Sequence, residues 1–227
     1  MSKHIIVTGT SRGIGLELIK ALSVQGHKVL ALSRNPEKLA DVKNANIETL
    51  AFDITQEDSI KAVADFVAKE WKKVDVLIHN SGALVNKPFT EISTEEFRYI
   101  YEVNVIGVAA FTKALMPYLE AGSHVVAISS IGGVQGSVKF SGLSAYSSSK
   151  SAVLGLVELL AEEYKEEKIS FNGLALGAVQ TEMLNEAFPG YIAPLSPAEM
   201  ASYIADFALT ANKYFNGKII EVSSTTP

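Results

Sequence analysis

Short hydrophobic runs recur along the chain, and segments with the apolar spacing of helices separate them. Seven runs have the length of β-strands and fall at about 4–8, 28–33, 47–52, 74–79, 123–129, 169–175 and 218–222. Most of them are apolar at consecutive positions, which is typical of strands in a parallel sheet covered on both faces. The alternation therefore predicts an α/β fold of the doubly wound type, with about seven parallel strands and helices on both faces.

Two of the predicted helices are hydrophobic around almost their whole circumference. One spans about 103–119, and the other includes the segment 152–161. A helix with so little polar surface is buried on two sides. We expect one side of each helix to cover the sheet and the other side to pack against a second subunit.

The composition narrows the class of protein. The chain has 227 residues, enough for one well-buried domain over 1–227, and a formal net charge of −5 with scattered lysines and arginines. This charge gives no electrostatic footprint for a nucleic acid. The sequence shows no cysteine, no cluster of metal ligands, no signal-peptide pattern and no apolar run long enough for a membrane span. We therefore expect a cytoplasmic protein with no metal, no nucleic-acid partner and no membrane partner.

A tyrosine and a lysine provide the candidate chemistry. Tyr146 and Lys150 are four residues apart at the start of a helical pattern, so their side chains share one helix face. A free phenol titrates near ~10, and an ammonium group beside it favours the phenolate. Such a pair can donate and accept a proton near neutrality, as the reduction of a carbonyl group requires. By itself, Tyr-x-x-x-Lys also fits an ordinary pair on a helix surface.

A glycine-rich turn follows the first predicted strand and leads into a helix. Gly9 can make a tight turn, Gly13 lets the backbone approach a pyrophosphate, and Gly15 allows close packing of the helix. The N-terminus of the helix then faces the anion. The turn also contains three other residues of the same cradle: Ser11, Arg12 and Ile14. The alternative is a simple turn from strand to helix.

Together, Thr-Gly-x-x-x-Gly-x-Gly near the N-terminus and Tyr-x-x-x-Lys in mid-chain resemble the short-chain dehydrogenase/reductase superfamily. Further matches follow in the expected order over nearly the whole chain: Asp53, His79-Asn80-Ser81-Gly82, Asn104, Ser129-Ser130 and Thr181. The resemblance implies a Rossmann fold, a nicotinamide cofactor and a small-molecule carbonyl or alcohol substrate. It also implies a homodimer or homotetramer assembled through helices.

The resemblance assigns roles to individual side chains. Tyr146 would donate the proton, and Lys150 would lower the pKa of the tyrosine and bind the ribose next to the nicotinamide. Ser130 would orient the carbonyl oxygen, with Ser129 as an alternative, and Asn104 would hold a water molecule that connects the lysine to solvent. Tyr146 and Lys150 would also contact the cofactor, together with Gly9, Ser11, Arg12, Gly13, Ile14, Gly15, Ser33, Arg34, Asp53, Ile54, Asn80, Ser81, Gly82, Gly177, Val179 and Thr181.

The choice between NADH and NADPH depends on the end of the second strand. NAD-binding folds commonly place an acidic residue there for the 2′-hydroxyl group of the ribose, whereas this chain has Ser33 and Arg34. An arginine suits a 2′-phosphate, and Arg12 adds a second positive charge. We therefore predict NADP(H) as the cofactor. The alternative for each arginine is a solvated surface charge.

Two polar residues at the ends of other strands have alternative roles. Asp53 occupies the position that meets the adenine amino group in the family, but it could instead cap the helix predicted at 56–71. We favour the adenine contact, with Thr55 as the cap. His79 stands where the family usually has asparagine, and a histidine that ends an apolar strand is more often structural than catalytic.

Two segments near the predicted site differ in length from typical members of the family. The segment between Ser130 and Tyr146 is longer, and we expect the extra residues, around 136–141, to border the substrate. The segment from Thr181 to a helix start at Ser196 is short, which predicts a small substrate lid.

These features predict an NADPH-dependent oxidoreductase that reduces a ketone or aldehyde to an alcohol, or catalyses the reverse reaction, with Tyr146 as the general acid and base. The alternative is a catalytically silent dinucleotide-binding protein that serves as a redox sensor or assembly partner on the same fold. The presence of all four catalytic side-chain types favours the enzyme.

Overall fold

The computed structural model describes residues 2–40, 42 and 44–223. Within these ranges one parallel sheet has the strand order β3-β2-β1-β4-β5-β6-β7. The strands are β1 (His4–Thr8), β2 (Lys28–Ser33), β3 (Ile47–Ala51), β4 (Val74–His79), β5 (Leu119–Ser130), β6 (Ser170–Leu176) and β7 (Ile219–Val222). The strand order reverses between β1 and β4, so the cleft of this doubly wound Rossmann fold lies at their carboxyl ends. The predicted fold class is confirmed.

Helices cover both faces of the sheet. They are α1 (Gly13–Val24), α2 (Glu57–Phe66), α3 (Thr94–Tyr101), α4 (Gly107–Leu115), α5 (Ser144–Glu163), α6 (Glu182–Ala187) and α7 (Pro197–Thr210). Apolar residues of α2, α4 and α5 pack with one face, and those of α1 and α7 pack with the other. Alternate residues of β1 serve the two layers, because Ile6 joins the first and Ile5 joins the second.

The predicted helix at 103–119 begins and ends elsewhere. A capping box between Ser93 and Glu96 starts α3 at Thr94, and a π-helical turn over Glu102–Ile106 joins it to α4. Helix α4 ends at Leu115, and β5 already begins at Leu119 rather than at 123. The boundary prediction was wrong because the apolar run alone was used, whereas the cap lies in the polar segment before it.

Caps explain two further boundaries. Gln56 is the N-cap of α2 and its side chain makes no capping bond, while the Thr55 hydroxyl donates to Asp53 Oδ1 over 2.8 Å. The prediction that Thr55 caps this helix was therefore wrong. At α7, by contrast, Ser196 and Glu199 form a capping box with Pro197 in the first turn, and the predicted helix start is confirmed.

The outward faces of α4 and α5 remain uncovered by the described residues. Val153 and Val157 bury the inner side of α5, but Leu159 is 70% exposed and nothing lies within 4 Å of a Cβ placed on Gly155. Ile106, beside α4, is 52% exposed. A second copy of the chain at this face therefore stays a prediction. Among the described helices, none has the combined length and apolar character of a membrane span.

If α5 forms the subunit contact, Leu159→Asp places a charge in the apolar interface and should convert a dimer or tetramer into monomers. Light scattering after gel filtration at micromolar concentration measures the mass. Val24→Asp is the matched control, because Val24 is an 81% exposed apolar residue on α1, on the other face of the sheet. A parent protein that already elutes as a monomer would contradict the prediction.

Candidate active site

The glycine turn lies beside the end of β2. The backbone amides of Gly9 and Thr10 donate to the Leu32 carbonyl oxygen over 2.8 and 3.2 Å. Gly9 and Gly13 have φ angles of +73° and +56°, which disfavour any other residue. A Cβ on Gly15 would lie 2.2 Å from the Gly9 carbonyl oxygen. The glycines therefore leave the main chain of the turn without side chains at the N-terminus of α1.

Thr8 and Asn80 hold this turn against the end of β4. The Asn80 amide nitrogen Nδ2 donates to the carbonyl oxygens of Thr8 and Gly9, both over 3.0 Å. In return, Thr8 Oγ1 accepts from the backbone amides of Asn80 and Ser81 over 3.0 and 2.9 Å. The role of Thr8 was missed in the sequence analysis, although a buried hydroxyl directly before a glycine turn is the signal that could have found it.

Ser130, Tyr146 and Lys150 come together at the carboxyl end of β5. The side chain of Ser130 lies near the Tyr146 hydroxyl, and Ser130 Oγ accepts from the Gly132 amide over 3.3 Å. The buried Lys150 Nζ donates to the Ile128 carbonyl oxygen over 2.8 Å and lies 5.8 Å from the centre of the tyrosine ring. Three of the four predicted catalytic side chains therefore form one cluster.

Ser129 faces away from this cluster. Consecutive strand residues point to opposite sides of the sheet, and Ser129 Oγ donates instead to the Lys150 main-chain carbonyl oxygen over 2.8 Å. Of the two serines left open by the sequence, Ser130 is the one beside Tyr146. Ser129 helps to dock α5 on the sheet.

Burial decides the protonation of the tyrosine and the lysine. It raises the pKa of Tyr146 to about 12, against a smaller lowering by the nearby hydroxyl of Ser130. It also lowers the pKa of Lys150 to about 8. The expected lowering of the tyrosine pKa by Lys150 is not seen here, because loss of solvation outweighs it and the ammonium group sits over the ring rather than at the hydroxyl.

Asn104 lies in the π-helical turn and is fully buried. Its Oδ1 accepts from the Ala83 amide over 2.8 Å, and its Nδ2 donates to the Ala83 carbonyl oxygen and to Ser149 Oγ, both over 2.9 Å. The Ser149 hydroxyl donates in turn to the main-chain oxygen of Tyr146 over 2.7 Å. The side chain of Asn104 thus joins the loop after β4 to the first turns of α5, and Ser149 is a positioning residue that the sequence analysis missed.

Gly82 lies between Asn104 and the lysine. A Cβ placed on it would be 3.6 Å from both Asn104 Oδ1 and Lys150 Nζ. The main chain of the loop after β4 therefore runs directly past the charged group, without a side chain between them.

His79 belongs to the core rather than to the site. Its Nε2 is hydrogen-bonded to Thr112 Oγ1 over 2.8 Å, and its ring meets Phe111 edge to face. Complete burial lowers the pKa of His79 to about 3, so the ring stays neutral. These contacts support the structural interpretation.

The adenosine end of the predicted cleft contains a buried hydroxyl without a partner. Ser33 is 4% exposed, and its Oγ makes no hydrogen bond to any described residue. The neighbouring Arg34 is exposed, with Nη1 3.4 Å from the phenolic oxygen of Tyr99 on α3. Asp53 Oδ1 accepts from the amide and hydroxyl of Thr55 over 3.0 and 2.8 Å. Polar groups at the ends of β2 and β3 therefore surround this part of the cleft.

Arg12 does not join Ser33 and Arg34 as expected. Its Nη1 and Nη2 lie 2.5 and 3.4 Å from the two carboxylate oxygens of Glu186 on α6. The N-terminus of α6 also approaches the glycine turn, since a Cβ on Gly13 would be 3.4 Å from both Thr181 Cγ2 and Glu182 Oε2. The short lid therefore reaches across to the glycine turn in this structure.

The other predicted cofactor residues differ in how openly they lie. Ser11, Ile14, Ser81 and Thr181 are partly buried, and Thr181 Oγ1 caps α6 by accepting from the Leu184 amide over 3.2 Å. Two lie deeper: Ile54, whose side chain is in the core, and Val179, which is bridged to Leu195. Gly177 is partly buried, and its amide donates to the Val222 carbonyl oxygen over 2.9 Å.

The segment around 136–141 lies against α5. Lys139, Phe140 and Ser141, together with Gly132, Gly133 and Phe89, line a cavity of about 830 Å³ against four serines of that helix: Ser144, Ser147, Ser148 and Ser151. The cavity adjoins the candidate catalytic serine, because the Gly132 amide donates to Ser130 Oγ. That the longer segment borders the substrate stays a prediction.

Comparison with known proteins identifies the family. The model of the short chain dehydrogenase family matches residues 3–191, which is most of the chain. The chain belongs to the short-chain dehydrogenase family. Its members are oxidoreductases, and the glycine turn together with the cluster of Ser130, Tyr146 and Lys150 lies within the matched range.

Individual relatives extend over nearly the full length. The chain is 29% identical over 234 aligned positions to the 3-oxoacyl-(acyl-carrier-protein) reductase FabG of Escherichia coli, covering 97% of this chain and 96% of that protein. The 3-ketoacyl-(acyl-carrier-protein) reductase of Brucella melitensis, complexed with NADH, has a similar fold, with a TM-score of 0.87, 24% identity and coverage of 97% and 96%. A short-chain dehydrogenase of Burkholderia cenocepacia in complex with NADP also has a similar fold, with a TM-score of 0.88 and 21% identity. That comparison covers 99% of this chain and 97% of the Burkholderia chain.

The buried ammonium group should cost stability. The pKa of Lys150 is lowered from 10.5 to about 8, so the unfolded state binds more protons between these values and stability rises with pH through that window. Lys150→Met should therefore stabilise the cofactor-free protein at neutral pH by about 1–2 kcal/mol, after the loss of the hydrogen bond to Ile128. The advantage should shrink above about pH 9.

Chemical denaturation at neutral pH and near pH 9.5, below the range in which Tyr146 titrates, measures the difference. Lys213→Met, which removes an exposed lysine, is the control and should change little. A Lys150→Met protein that is less stable than the parent at both pH values would show that the buried charge is compensated.

Proposed function

We propose that the protein is an NADPH-dependent oxidoreductase that reduces a ketone or aldehyde to an alcohol, or catalyses the reverse oxidation. The observation that carries this proposal is the cluster of Ser130, Tyr146 and Lys150, in which the buried ammonium group lies over the tyrosine ring and Ser130 lies near the phenolic hydroxyl. The cluster lies at the carboxyl end of β5, on the same edge of the sheet as the glycine turn after β1, where doubly wound folds bind their ligands.

The residues of the cleft fit a nicotinamide dinucleotide. Gly9 and Gly13 leave the main chain free of side chains at the N-terminus of α1, which suits a pyrophosphate. Ser33 offers a buried hydroxyl that has no hydrogen-bond partner among the described residues, and Arg34 offers a guanidinium group that contacts the phenolic oxygen of Tyr99. Asp53 would hold the adenine amino group through the carboxylate oxygen that Thr55 leaves open.

Tyr146 supplies the proton in the direction of reduction. Its raised pKa keeps the phenol protonated at neutral pH, and Ser130 orients the carbonyl oxygen of the substrate toward it. The dihydronicotinamide, when bound, supplies a hydride to the carbonyl carbon. The carbonyl oxygen would take the phenolic proton, so that an alcohol, an oxidised nicotinamide and a tyrosinate would result.

Lys150 would then stabilise the tyrosinate, and Asn104 would help to reprotonate it. The ammonium group of Lys150 stabilises the negative charge that develops on the phenolic oxygen. The side-chain amide of Asn104 is committed to Ala83 and Ser149, so we assign the proposed water molecule to its main-chain carbonyl oxygen. Asn104 lies in the π-helical turn over Glu102–Ile106, and such turns are frequent at functional sites. This water would return a proton to the site.

The buried charge favours an enzyme over a silent binding protein. A protein that only senses or stores a dinucleotide gains nothing from a desolvated lysine beside the phenol, since the lowered pKa of Lys150 costs stability at neutral pH. The test follows the absorbance of NADPH with a panel of ketones, aldehydes, quinones, diketones and 3-oxoacyl thioesters. The thioesters are included because the Escherichia coli relative is a 3-oxoacyl reductase. Tight NADPH binding without turnover on any of them would favour the silent alternative.

Tyr146→Phe removes the proton donor and keeps the ring. We expect turnover to fall by about 10²–10⁴-fold, the usual contribution of general acid catalysis, while the dissociation constant of NADPH stays nearly the same. Steady-state rates and calorimetric titration measure the two effects. Tyr164→Phe, at the other end of α5, is the control and should keep full activity. A loss below tenfold would mean that another group protonates the product.

Arg34→Ala should weaken NADPH binding by roughly ten- to a hundredfold and leave NADH binding unchanged, because a hydrogen bond to a charged group contributes about 1.5–3 kcal/mol. Ser33→Asp should repel the 2′-phosphate and offer a partner to the ribose hydroxyl of NADH. The ratio of kcat/KM for the two cofactors is measured in the parent and each variant. Arg98→Ala, an exposed arginine on α3, is the matched control. Equal values in the parent would contradict the proposed cofactor choice.

A further inference from the structure

The ion pair between Arg12 and Glu186 joins two segments on opposite sides of the cleft. Arg12 precedes α1 in the glycine turn, and Glu186 lies on α6, between β6 and α7. Two nitrogens of the guanidinium group face two oxygens of the carboxylate, at 2.5 and 3.4 Å. This fork is the geometry with which arginine binds a carboxylate or a phosphate. The Glu186 carboxylate therefore occupies the donors that a phosphate would need.

Arg34 is held differently. The contact that the structure shows for its guanidinium group is the phenolic oxygen of Tyr99, at 3.4 Å, which carries no charge when protonated. A phosphate can thus meet Arg34 without displacing a carboxylate. Of the two arginines assigned to the 2′-phosphate, Arg34 is available and Arg12 is already paired.

We infer that Glu186 is a specificity-determining residue, which competes with the 2′-phosphate of NADP(H) for Arg12. The inference rests on the proposed function, because it takes Arg12 as a ligand of that phosphate. NADPH has to displace Glu186 to use Arg12, whereas NADH has no group that needs this arginine. Glu186 therefore narrows the preference for NADPH, and the binding of NADPH releases α6 from the glycine turn.

The size of the effect follows from the exposure of the pair. The side chains of Arg12 and Glu186 are 44% and 64% exposed, so solvent weakens their attraction. Loss of the competition should strengthen NADPH binding by about two- to fivefold. Glu186→Gln keeps the size of the side chain and removes the charge.

Glu182 provides a matched control on the same helix. Its Oε2 is 3.4 Å from a Cβ placed on Gly13, close to the part of the turn that would cradle the pyrophosphate. Both cofactors carry a pyrophosphate, and Glu182 attracts Arg12 only through space, without the hydrogen bonds that Glu186 makes. Glu182→Gln should therefore change the ratio of NADPH to NADH binding much less than Glu186→Gln does.

The experiment measures the dissociation constants of NADPH and NADH by calorimetric titration, without turnover. Glu186→Gln should lower the constant for NADPH two- to fivefold and leave that for NADH unchanged. In an Arg12→Gln background the same substitution should have no effect on either cofactor, since the arginine competed for is gone. Glu186→Ala serves as a second variant, and thermal melting checks that each protein is folded.

The inference is overturned if Glu186→Gln acts equally on both cofactors, weakens NADPH, or keeps its effect in the Arg12→Gln background. A weaker NADPH complex would mean that Glu186 positions Arg12 instead of competing for it. If Arg34→Ala still lowers NADPH affinity while the Glu186 variants change nothing, the proposed cofactor stands and only the competition fails. If the parent binds NADPH no better than NADH and Arg34→Ala is silent, the cofactor assignment itself fails.

Discussion

The site depends on the hydrogen bonds that the side-chain amide of Asn104 makes. Its three hydrogen bonds connect the loop after β4 with α5, and through Ser149 they reach the main chain of Tyr146. A buried amide costs free energy unless its polar atoms are paired, and here each is paired. The π-helical turn brings the residue to this position. Removing the amide would leave the Ala83 peptide without partners and loosen the first turns of α5.

Burial shifts the pKa of both Tyr146 and Lys150, and the buried ammonium group of Lys150 costs stability at neutral pH. Loss of solvation keeps Tyr146 protonated and brings the pKa of Lys150 to about 8, near neutrality. Such shifts are typical of groups that exchange protons in a reaction. The fold bears this cost because the surrounding strands and helices are apolar on both faces of the sheet, so the core supplies the stability that the site gives up.

Different kinds of interaction hold the two sides of the cleft in place. At the glycine turn, hydrogen bonds among Thr8, Gly9 and Asn80 fix the position of the main chain. On the lid side, the contact to the glycine turn is an exposed ion pair between side chains. Interactions of the second kind are weak and easily exchanged. The structure therefore combines a glycine turn fixed by main-chain hydrogen bonds with a segment around α6 that is joined to it by a weak, exposed ion pair.

The sequence by itself determined the fold class and the main motifs, because strand periodicity, glycine turns and the spacing of Tyr146 and Lys150 are local properties. Where the cap itself was recognised, as at Ser196, the helix start was also correct. The tertiary structure alone decided the partner of Arg12, which lies 174 residues away along the chain, and the protonation of the buried pair. The ion pair and the protonation states both depend on which side chains the fold brings together and removes from solvent. No local pattern of residues specifies these contacts.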